Sequence, residues 1–272
     1  MNGQLHHAPT LSVVLPYYNE EDYLGATLTS LAAQTYAPSQ IILVDNGSSD
    51  ASAFHCERFK RAHPELVIEL MHEARPGKIN ALSAGFQTVT SDYVAFCDAD
   101  TIYPPHYVEL ALALIKNARG ECAGAMGLGL TASPESAKGM FQRYKGALAG
   151  ALLARQCHTG GYGQIFDTQI LRAAGGYSRM RWPYMQADHE IAHRMLKYSR
   201  LIYHRDLWCR TSTRRTTRKR VSWNIVEMIV YHLTPFALKD WFFYRFLTRR
   251  FERRSMWNAN LRTQPWNKKE AG

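Results

Sequence analysis

The first hundred residues alternate short apolar runs with longer amphipathic segments, and this alternation constrains the fold more than any other feature. Apolar, largely aliphatic runs predict buried strands at residues 11–16, 41–44, 66–71 and 93–97. Amphipathic segments between them predict helices at residues 23–34, 51–63 and 79–88. Strands that alternate with helices build parallel sheets with right-handed crossovers. The sequence therefore predicts an α/β fold with a mainly parallel sheet.

The pattern changes after residue 100. Further helices are predicted at residues 104–118, 136–155 and 188–198, and strands at 123–130 and 201–203. Glycine-rich loops are predicted at residues 160–163 and 175–177. We expect one catalytic α/β domain over residues 1–215, followed by a basic, aromatic-rich helical extension over residues 216–272.

Length and composition narrow the class of protein. The chain has 272 residues, begins with a polar stretch without a signal-peptide core, and has no long uncharged apolar run. Its five cysteines are scattered and form no C-x-x-C pair, which suits a reducing compartment and argues against a disulfide framework or a zinc site. These features predict a cytoplasmic protein without a transmembrane helix.

The positive charge is concentrated in the last quarter of the chain. Residues 205–272 contain 16 Lys and Arg against 5 Asp and Glu, whereas the first 204 residues are nearly neutral, although the whole chain carries +10. A basic tail on a neutral domain predicts an anionic partner such as a membrane surface, a nucleic acid or an acidic polymer.

Asp98 and Asp100 directly follow the predicted strand at residues 93–97. Two carboxylates at the carboxyl end of a buried strand provide oxygen ligands for Mg²⁺ or Mn²⁺, which leave positions open for phosphates. Such a cation could neutralise a leaving diphosphate. The alternative is that both residues only form a turn, where Asp is common.

Five motifs occur in a fixed order along the chain. They are Pro16-Tyr17-Tyr18-Asn19-Glu20, Val44-Asp45-Asn46-Gly47-Ser48-Ser49-Asp50, Gly77-Lys78-Ile79-Asn80-Ala81-Leu82, Asp98/Asp100, and Asp188-His189-Glu190 after a glycine loop. Together they resemble the family 2 glycosyltransferases over about residues 10 to 215. The resemblance implies a GT-A fold and an inverting transfer from a nucleotide-diphosphate sugar.

The resemblance also implies a set of nucleotide-sugar ligands. Tyr18 could instead be a packed aromatic residue, Asp45 an Asx turn, and Lys78 a solvated cation. Arg75 is a further candidate for the base or diphosphate. The implied nucleotide-sugar residues are Pro16, Tyr18, Glu20, Asp45, Lys78, Asp98 and Arg215.

The metal and the catalytic base follow from the same resemblance. Asp98 and Asp100 would hold Mn²⁺ or Mg²⁺, and Asp188 would take the proton of the acceptor hydroxyl. Asp188 could instead act as a helix N-cap. The family usually has Glu-Asp here, and Ala187 stands in place of the Glu, which leaves Glu190 as a second candidate base. The implied acceptor residues are Gly161, Tyr162, Gly163, Gln164 and Glu190.

The extension has two interpretations. Residues 221–247 combine Trp, Phe, Tyr and Ile with flanking Arg and Lys, a pattern typical of a peripheral membrane segment. The alternative is that helices of the extension pack on the domain or on a second subunit. The chain lacks the Q-x-x-R-W motif and transmembrane helices of processive members, so we expect transfer of a single sugar.

The leading hypothesis is therefore a metal-dependent inverting glycosyltransferase that acts on a glycan or lipid-linked acceptor in cell-envelope polysaccharide synthesis. A sugar-phosphate nucleotidyltransferase would usually begin with a glycine-rich phosphate loop, which Leu15-Pro16-Tyr17-Tyr18 is not. The first 204 residues are nearly neutral, which argues against a nucleic-acid-binding protein, so we expect no nucleic-acid partner. An inactive glycosyltransferase-like scaffold is a further alternative.

Overall fold

Eight strands form one mixed sheet in the order β3-β2-β1-β4-β7-β6-β8-β5. The computed structural model describes residues 8–118, 121–212 and 222–263. The strands are β1 (Leu11–Tyr17), β2 (Gln40–Asp45), β3 (Ile68–His72), β4 (Tyr93–Phe96), β5 (Thr101–Ile102), β6 (Cys122–Leu130), β7 (Gln164–Asp167) and β8 (Arg200–Thr211).

The first four strands form the parallel half of the sheet. β1 pairs with β2 and β4, and β2 pairs with β3, all in parallel. The connecting helices are α1 (Glu21–Ala32), α2 (Ser52–Ala62) and α3 (Lys78–Gln87). β1 is buried along its whole length, as expected for a strand covered on both faces. The carboxyl ends of β1, β2 and β4 therefore meet at one edge, where ligands bind in open α/β sheets.

The second half of the sheet departs from simple alternation. β7 lies antiparallel between β4 and β6, while β8 runs parallel to β6 and is much longer than the predicted three residues. The carboxyl-terminal end of β8 pairs with the short strand β5, which begins directly after Asp100. The other helices here are α4 (Tyr107–Asn117), α5 (Ala137–Leu152), α6 (Thr168–Ala173) and α7 (Ala187–Met195).

The C-terminal helices complete the core on one face of the sheet. They are α8 (Ile225–Leu233), α9 (Lys239–Trp241), a π-helical segment (Phe242–Leu247), α10 (Thr248–Arg253) and a final 3₁₀ helix (Asn258–Thr263). Tyr231, Phe242, Phe243 and Phe251 are buried in the same hydrophobic cluster as Trp182. Most of the aromatic rings that suggested a membrane segment therefore pack on the domain.

The outer face of α8 stays exposed, at Ile225, Val226, Met228, Ile229 and Leu233. Within the described ranges, no helix combines the length and the apolar character needed to cross a membrane.

Candidate active site

Two adjoining clefts open at the carboxyl ends of the parallel strands. The small cleft encloses about 620 Å³ and the large cleft about 2220 Å³, including their open mouths. Lys78, Asp98 and Leu261 line both of them. The site is therefore a continuous groove with Lys78 and Asp98 at its junction.

The end of β1 forms one wall of the small cleft. Pro16, Tyr18 and Glu20, which are predicted nucleotide-sugar ligands, all line it. Asn19 adopts a left-handed φ of 51°, and its side chain accepts a hydrogen bond from the Ser49 backbone N–H at 2.8 Å. This tie fixes the segment after β1 against the loop that follows β2.

The structure brings Asn46, not Asp45, to the small cleft. Asp45 Oδ1 accepts the backbone N–H of Ser48, three residues on, at 2.8 Å, so its carboxylate is engaged in the loop after β2. Asn46 lines the cleft, and its Oδ1 accepts the N–H of Gly77 at 2.9 Å. The one-residue step past the strand end turns the two side chains in different directions, so Asn46 and not Asp45 lines the small cleft.

Arg75 forms an ion pair with Glu73 at the surface. Its guanidinium donates to both carboxylate oxygens of Glu73, at 2.9 and 2.8 Å. Hydrogen bonding from Arg75 lowers the pKa of Glu73 to about 2. Arg75 does not line either cleft, whereas Lys78 lines both.

Lys78 and Asp98 form an ion pair at the junction of the clefts. The backbone N–H of Asp98 donates to the Tyr103 hydroxyl at 3.0 Å, and that hydroxyl donates to the carbonyl of Tyr162 at 2.8 Å. The turn after β4 is therefore fixed to the loop at residues 160–163.

Asp100 lines the large cleft, and its Oδ2 accepts the Ser212 hydroxyl at 3.0 Å. Among the described residues no group of three or more His, Cys, Asp and Glu side chains could hold a metal ion. Asp98 at the junction and Asp100 in the large cleft nevertheless offer two carboxylates, and Mg²⁺ or Mn²⁺ accept one or two protein carboxylates and take their remaining oxygens from phosphates and water.

Asp188 lies at the start of α7, across the large cleft. Its Oδ2 accepts the N–H of Gly161 at 3.0 Å, and its Oδ1 accepts the N–H of His189 at 3.1 Å. Burial raises the pKa of Asp188, but His189 and then Lys78 outweigh it, so the pKa lies below its ordinary value. Asp188 is therefore a carboxylate at neutral pH, with a fixed orientation.

One part of the loop at residues 160–164 lines the large cleft, and the other part is buried. Gly161 and Tyr162 line the large cleft. Gly163 is buried, and a Cβ there would lie 2.4 Å from the carbonyl oxygen of Gly127. Gln164 is fully buried and donates from Nε2 to the carbonyl of Asp188 at 2.8 Å. Gly163 and Gln164 thus support the site from behind and do not reach an acceptor.

Glu190 does not reach the large cleft, which corrects its prediction as an acceptor residue. It is 1% exposed and pairs with Arg194 through two hydrogen bonds of 2.8 and 2.9 Å. The hydroxyl of Tyr244 donates to the same carboxylate. Two residues along a helix turn a side chain by about 200°, so Asp188 and Glu190 face opposite ways. Asp188 is the only one of the two that lines the cleft.

Residues distant in sequence complete the clefts. Trp223 lies between His189 and Tyr231, with ring centroids 4.7 and 4.6 Å away, and all three line the large cleft. Leu261 and Arg262 line the small cleft. No motif in the sequence had pointed to Trp223, Leu261 or Arg262 as residues of the site. The predicted ligand Arg215 lies outside the described residues.

Comparisons with known proteins identify similar sequences and similar folds. Residues 12–128 match the model of glycosyl transferase family 2. An uncharacterized glycosyltransferase of Nostoc sp. is 34% identical over 99 residues, which are 36% of this chain and 30% of the relative. The undecaprenyl-phosphate 4-deoxy-4-formamido-L-arabinose transferase of Serratia proteamaculans is 39% identical over 101 residues, 36% of this chain and 31% of that protein. The chain thus spans about a third of these two curated relatives.

The structure is similar to that of a mannosyltransferase from Pyrobaculum calidifontis in complex with GDP-Man and Mn²⁺. The TM-score is 0.65 at 20% sequence identity, and the match covers 84% of this chain and 64% of that one. The predicted α/β fold of GT-A type is confirmed.

Proposed function

Because residues 12–128 carry the sequence of glycosyl transferase family 2 within a GT-A fold, we propose that this protein transfers one sugar from a nucleotide-diphosphate sugar to an acceptor hydroxyl. The main structural support for this proposal is that two clefts meet at a common junction. One cleft has an aromatic wall suited to a nucleoside, the other contains Asp188, and Lys78 and Asp98 belong to both. The donor's diphosphate would lie at this junction.

The donor would bind with its nucleoside in the small cleft, between Pro16, Tyr18 and Glu20. Lys78 would contact the diphosphate, because an ammonium is a natural partner of phosphate oxygens. Asp98 and Asp100 would hold Mn²⁺ or Mg²⁺, which when bound would stabilise the negative charge on the departing diphosphate. A similar fold bound to GDP-Man and Mn²⁺ supports this assignment.

Asp188 would serve as the general base. A hydroxyl in the large cleft would give its proton to Asp188 as its oxygen attacks the anomeric carbon from the side opposite the diphosphate, so configuration inverts. The N–H of Gly161 holds one carboxylate oxygen, which orients the base before the acceptor arrives. Gly161 and Tyr162 would contact the acceptor.

The acceptor is proposed to be a lipid-linked or glycan precursor of a cell-envelope polysaccharide. The Serratia relative is named for an undecaprenyl-phosphate substrate. The helices α5 and α8 both line the large cleft and both present large apolar side chains to solvent. We propose that this surface rests on the inner face of an anionic cytoplasmic membrane, and that the protein is otherwise cytoplasmic.

A calorimetric titration tests the donor and the metal together. UDP, GDP and dTDP are added to the protein with and without Mn²⁺, and to the variants Asp100→Ala and Asp22→Ala. We expect one nucleotide to bind in a metal-dependent way, with Asp100→Ala losing the metal dependence and Asp22→Ala, on the exposed side of α1, behaving as wild type. Absence of binding by all three would contradict the donor assignment.

A further inference from the structure

The end of the described chain returns to the small cleft and is anchored there. Asn258 Oδ1 accepts the N–H of Ile79, in the first turn of α3, at 2.9 Å, and Asn258 N–H donates to the carbonyl of Pro183 at 2.9 Å. The rings of Tyr184 and Trp257 lie 4.8 Å apart just before this point. These contacts fix the 3₁₀ helix at Asn258–Thr263 across the carboxyl edge of the sheet.

This anchoring brings Arg262 onto the wall of the small cleft. Its guanidinium carbon lies 4.7 Å from the centroid of the Tyr18 ring, and Nη2 donates to the carbonyl of Asn46. Its Nε has no hydrogen-bond partner among the residues that the structure describes. A planar cation is therefore held beside the aromatic wall, and its buried Nε–H is left unsatisfied by the described residues.

The position of Arg262 separates it from Lys78. Lys78 is paired with Asp98 at the junction of the clefts, where the diphosphate is proposed to lie. Arg262 instead contacts Tyr18 and Asn46, which follow β1 and β2. Lys78 and Arg262 therefore lie at different parts of the groove, the junction and the small cleft.

Building on the proposed function, we propose that Arg262 is a donor-binding residue that recognises the nucleoside half of the nucleotide. Its guanidinium, packed on the Tyr18 ring, donates hydrogen bonds in its own plane to a base that carries a carbonyl oxygen. A guanidinium suits this role because its donors are planar and fixed, whereas an ammonium is a point charge. The C-terminal helical segment therefore belongs to the donor site.

Titration of Arg262 variants with nucleotides tests this assignment. The mono- and diphosphates of uridine, guanosine and thymidine are titrated into wild type, Arg262→Ala, Arg262→Lys and the control Arg61→Ala, which alters an exposed residue of α2. We expect Arg262→Ala to lose affinity about tenfold for the mono- and the diphosphate alike, as for a lost charge-assisted hydrogen bond. Arg262→Lys should not restore it, and Arg61→Ala should bind as wild type.

Each of the other outcomes leads to a different conclusion about the inference and about the proposed function. Equal or tighter binding by Arg262→Ala overturns the inference, and so does a loss confined to the diphosphate or a full rescue by Arg262→Lys, since both would indicate a phosphate contact. If wild type binds none of these nucleotides, the proposed function and the inference fail together. Wild-type binding that Arg262→Ala matches overturns the inference alone.

Discussion

At the scale of single residues, Asp188 is the side chain on which the proposed chemistry depends. Its carboxylate is oriented by the N–H groups of Gly161 and His189 and lies outside the small cleft. Asp188→Asn keeps the shape but removes the base, so we expect transfer to fall by about 10²- to 10⁴-fold. Nucleotide affinity should stay unchanged. Steady-state transfer assays and calorimetry on the same preparation check this, and near-normal turnover would rule out Asp188 as the base.

The surroundings of Asp188 also predict a pH dependence. Burial raises its pKa, while His189 and Lys78 together hold it below the ordinary value. Transfer needs the unprotonated carboxylate, so the acidic limb of the rate profile should lie below the ordinary Asp pKa of about 4. His189→Ala removes one lowering influence and should move that limb to higher pH. Profiles of kcat/KM for His189→Ala, wild type and the control His55→Ala test this; coinciding limbs would contradict it.

The sequence pointed to residues that line the cleft where a motif stands directly at a strand or helix end. Pro16, Tyr18, Glu20, Lys78 and Asp98 all line the small cleft. The sequence could not tell which residue at the end of β2 turns into the cleft, because that depends on the hydrogen bond between Asp45 and the Ser48 backbone. It could not identify Arg262 either, since its place depends on how distant segments pack.

At the scale of elements, α5 has an unusual distribution of side chains. Its inner face is made of glycines, and a Cβ at Gly150 would lie 2.4 Å from the ring of Tyr203. Its large apolar residues point outward instead, with Phe141 at 65% and Leu148 at 59% exposure. A helix that packs on the domain through glycines and exposes its apolar residues is suited to contact a second apolar environment besides the core, such as a lipid surface.

The neighbouring helix α8 extends this apolar surface. His232 Nδ1 lies 2.6 Å from Gln156 Oε1, which joins α8 to the segment after α5. In sequence, residues 213–221 just before α8 include five Lys and Arg, and Lys138 and Lys145 on α5 are exposed. Apolar side chains beside cations match the chemistry of an anionic lipid surface.

Vesicle flotation tests this surface. We expect wild type to float with anionic phospholipid vesicles at low salt, and the double variant Phe141→Glu/Leu148→Glu to remain in the soluble fraction. Phe54→Glu is a matched control, because Phe54 is 56% exposed on the distant helix α2. If wild type does not float, the membrane proposal fails, and if the double variant floats equally, α5 does not contribute.

The elements themselves were predictable to different degrees. Apart from the two-residue strand β5, the strands and helices up to residue 118 follow the predicted alternation closely, because each has its own apolar periodicity. β7 was missed because it is four residues long and gains its place only by pairing between β4 and β6. β8 was predicted too short, because the polar run at residues 204–206 interrupts its apolar residues.

At the scale of the whole molecule, the C-terminal segment contributes to the core and to the site. The predicted division between residues 215 and 216 is therefore not a break in the hydrophobic core, since Tyr231, Phe242, Phe243 and Phe251 pack in one cluster with Trp182. The same segment supplies Trp223 to the large cleft and Arg262 to the small one. Composition indicated an extension, and packing shows that its aromatic rings belong to the core of the domain.

Truncation tests this dependence. A chain ending at residue 215 loses these four buried rings, each contributing roughly 2 kcal/mol on burial, which together approach the total stability of a typical domain. We expect it to show no cooperative unfolding transition and no nucleotide binding. A chain ending at residue 263 keeps the core and Arg262, and should melt and bind as the full chain does. Circular dichroism melting of the three chains decides the matter, because a cooperative transition in the 1–215 chain would mean that the domain folds without its C-terminal helices.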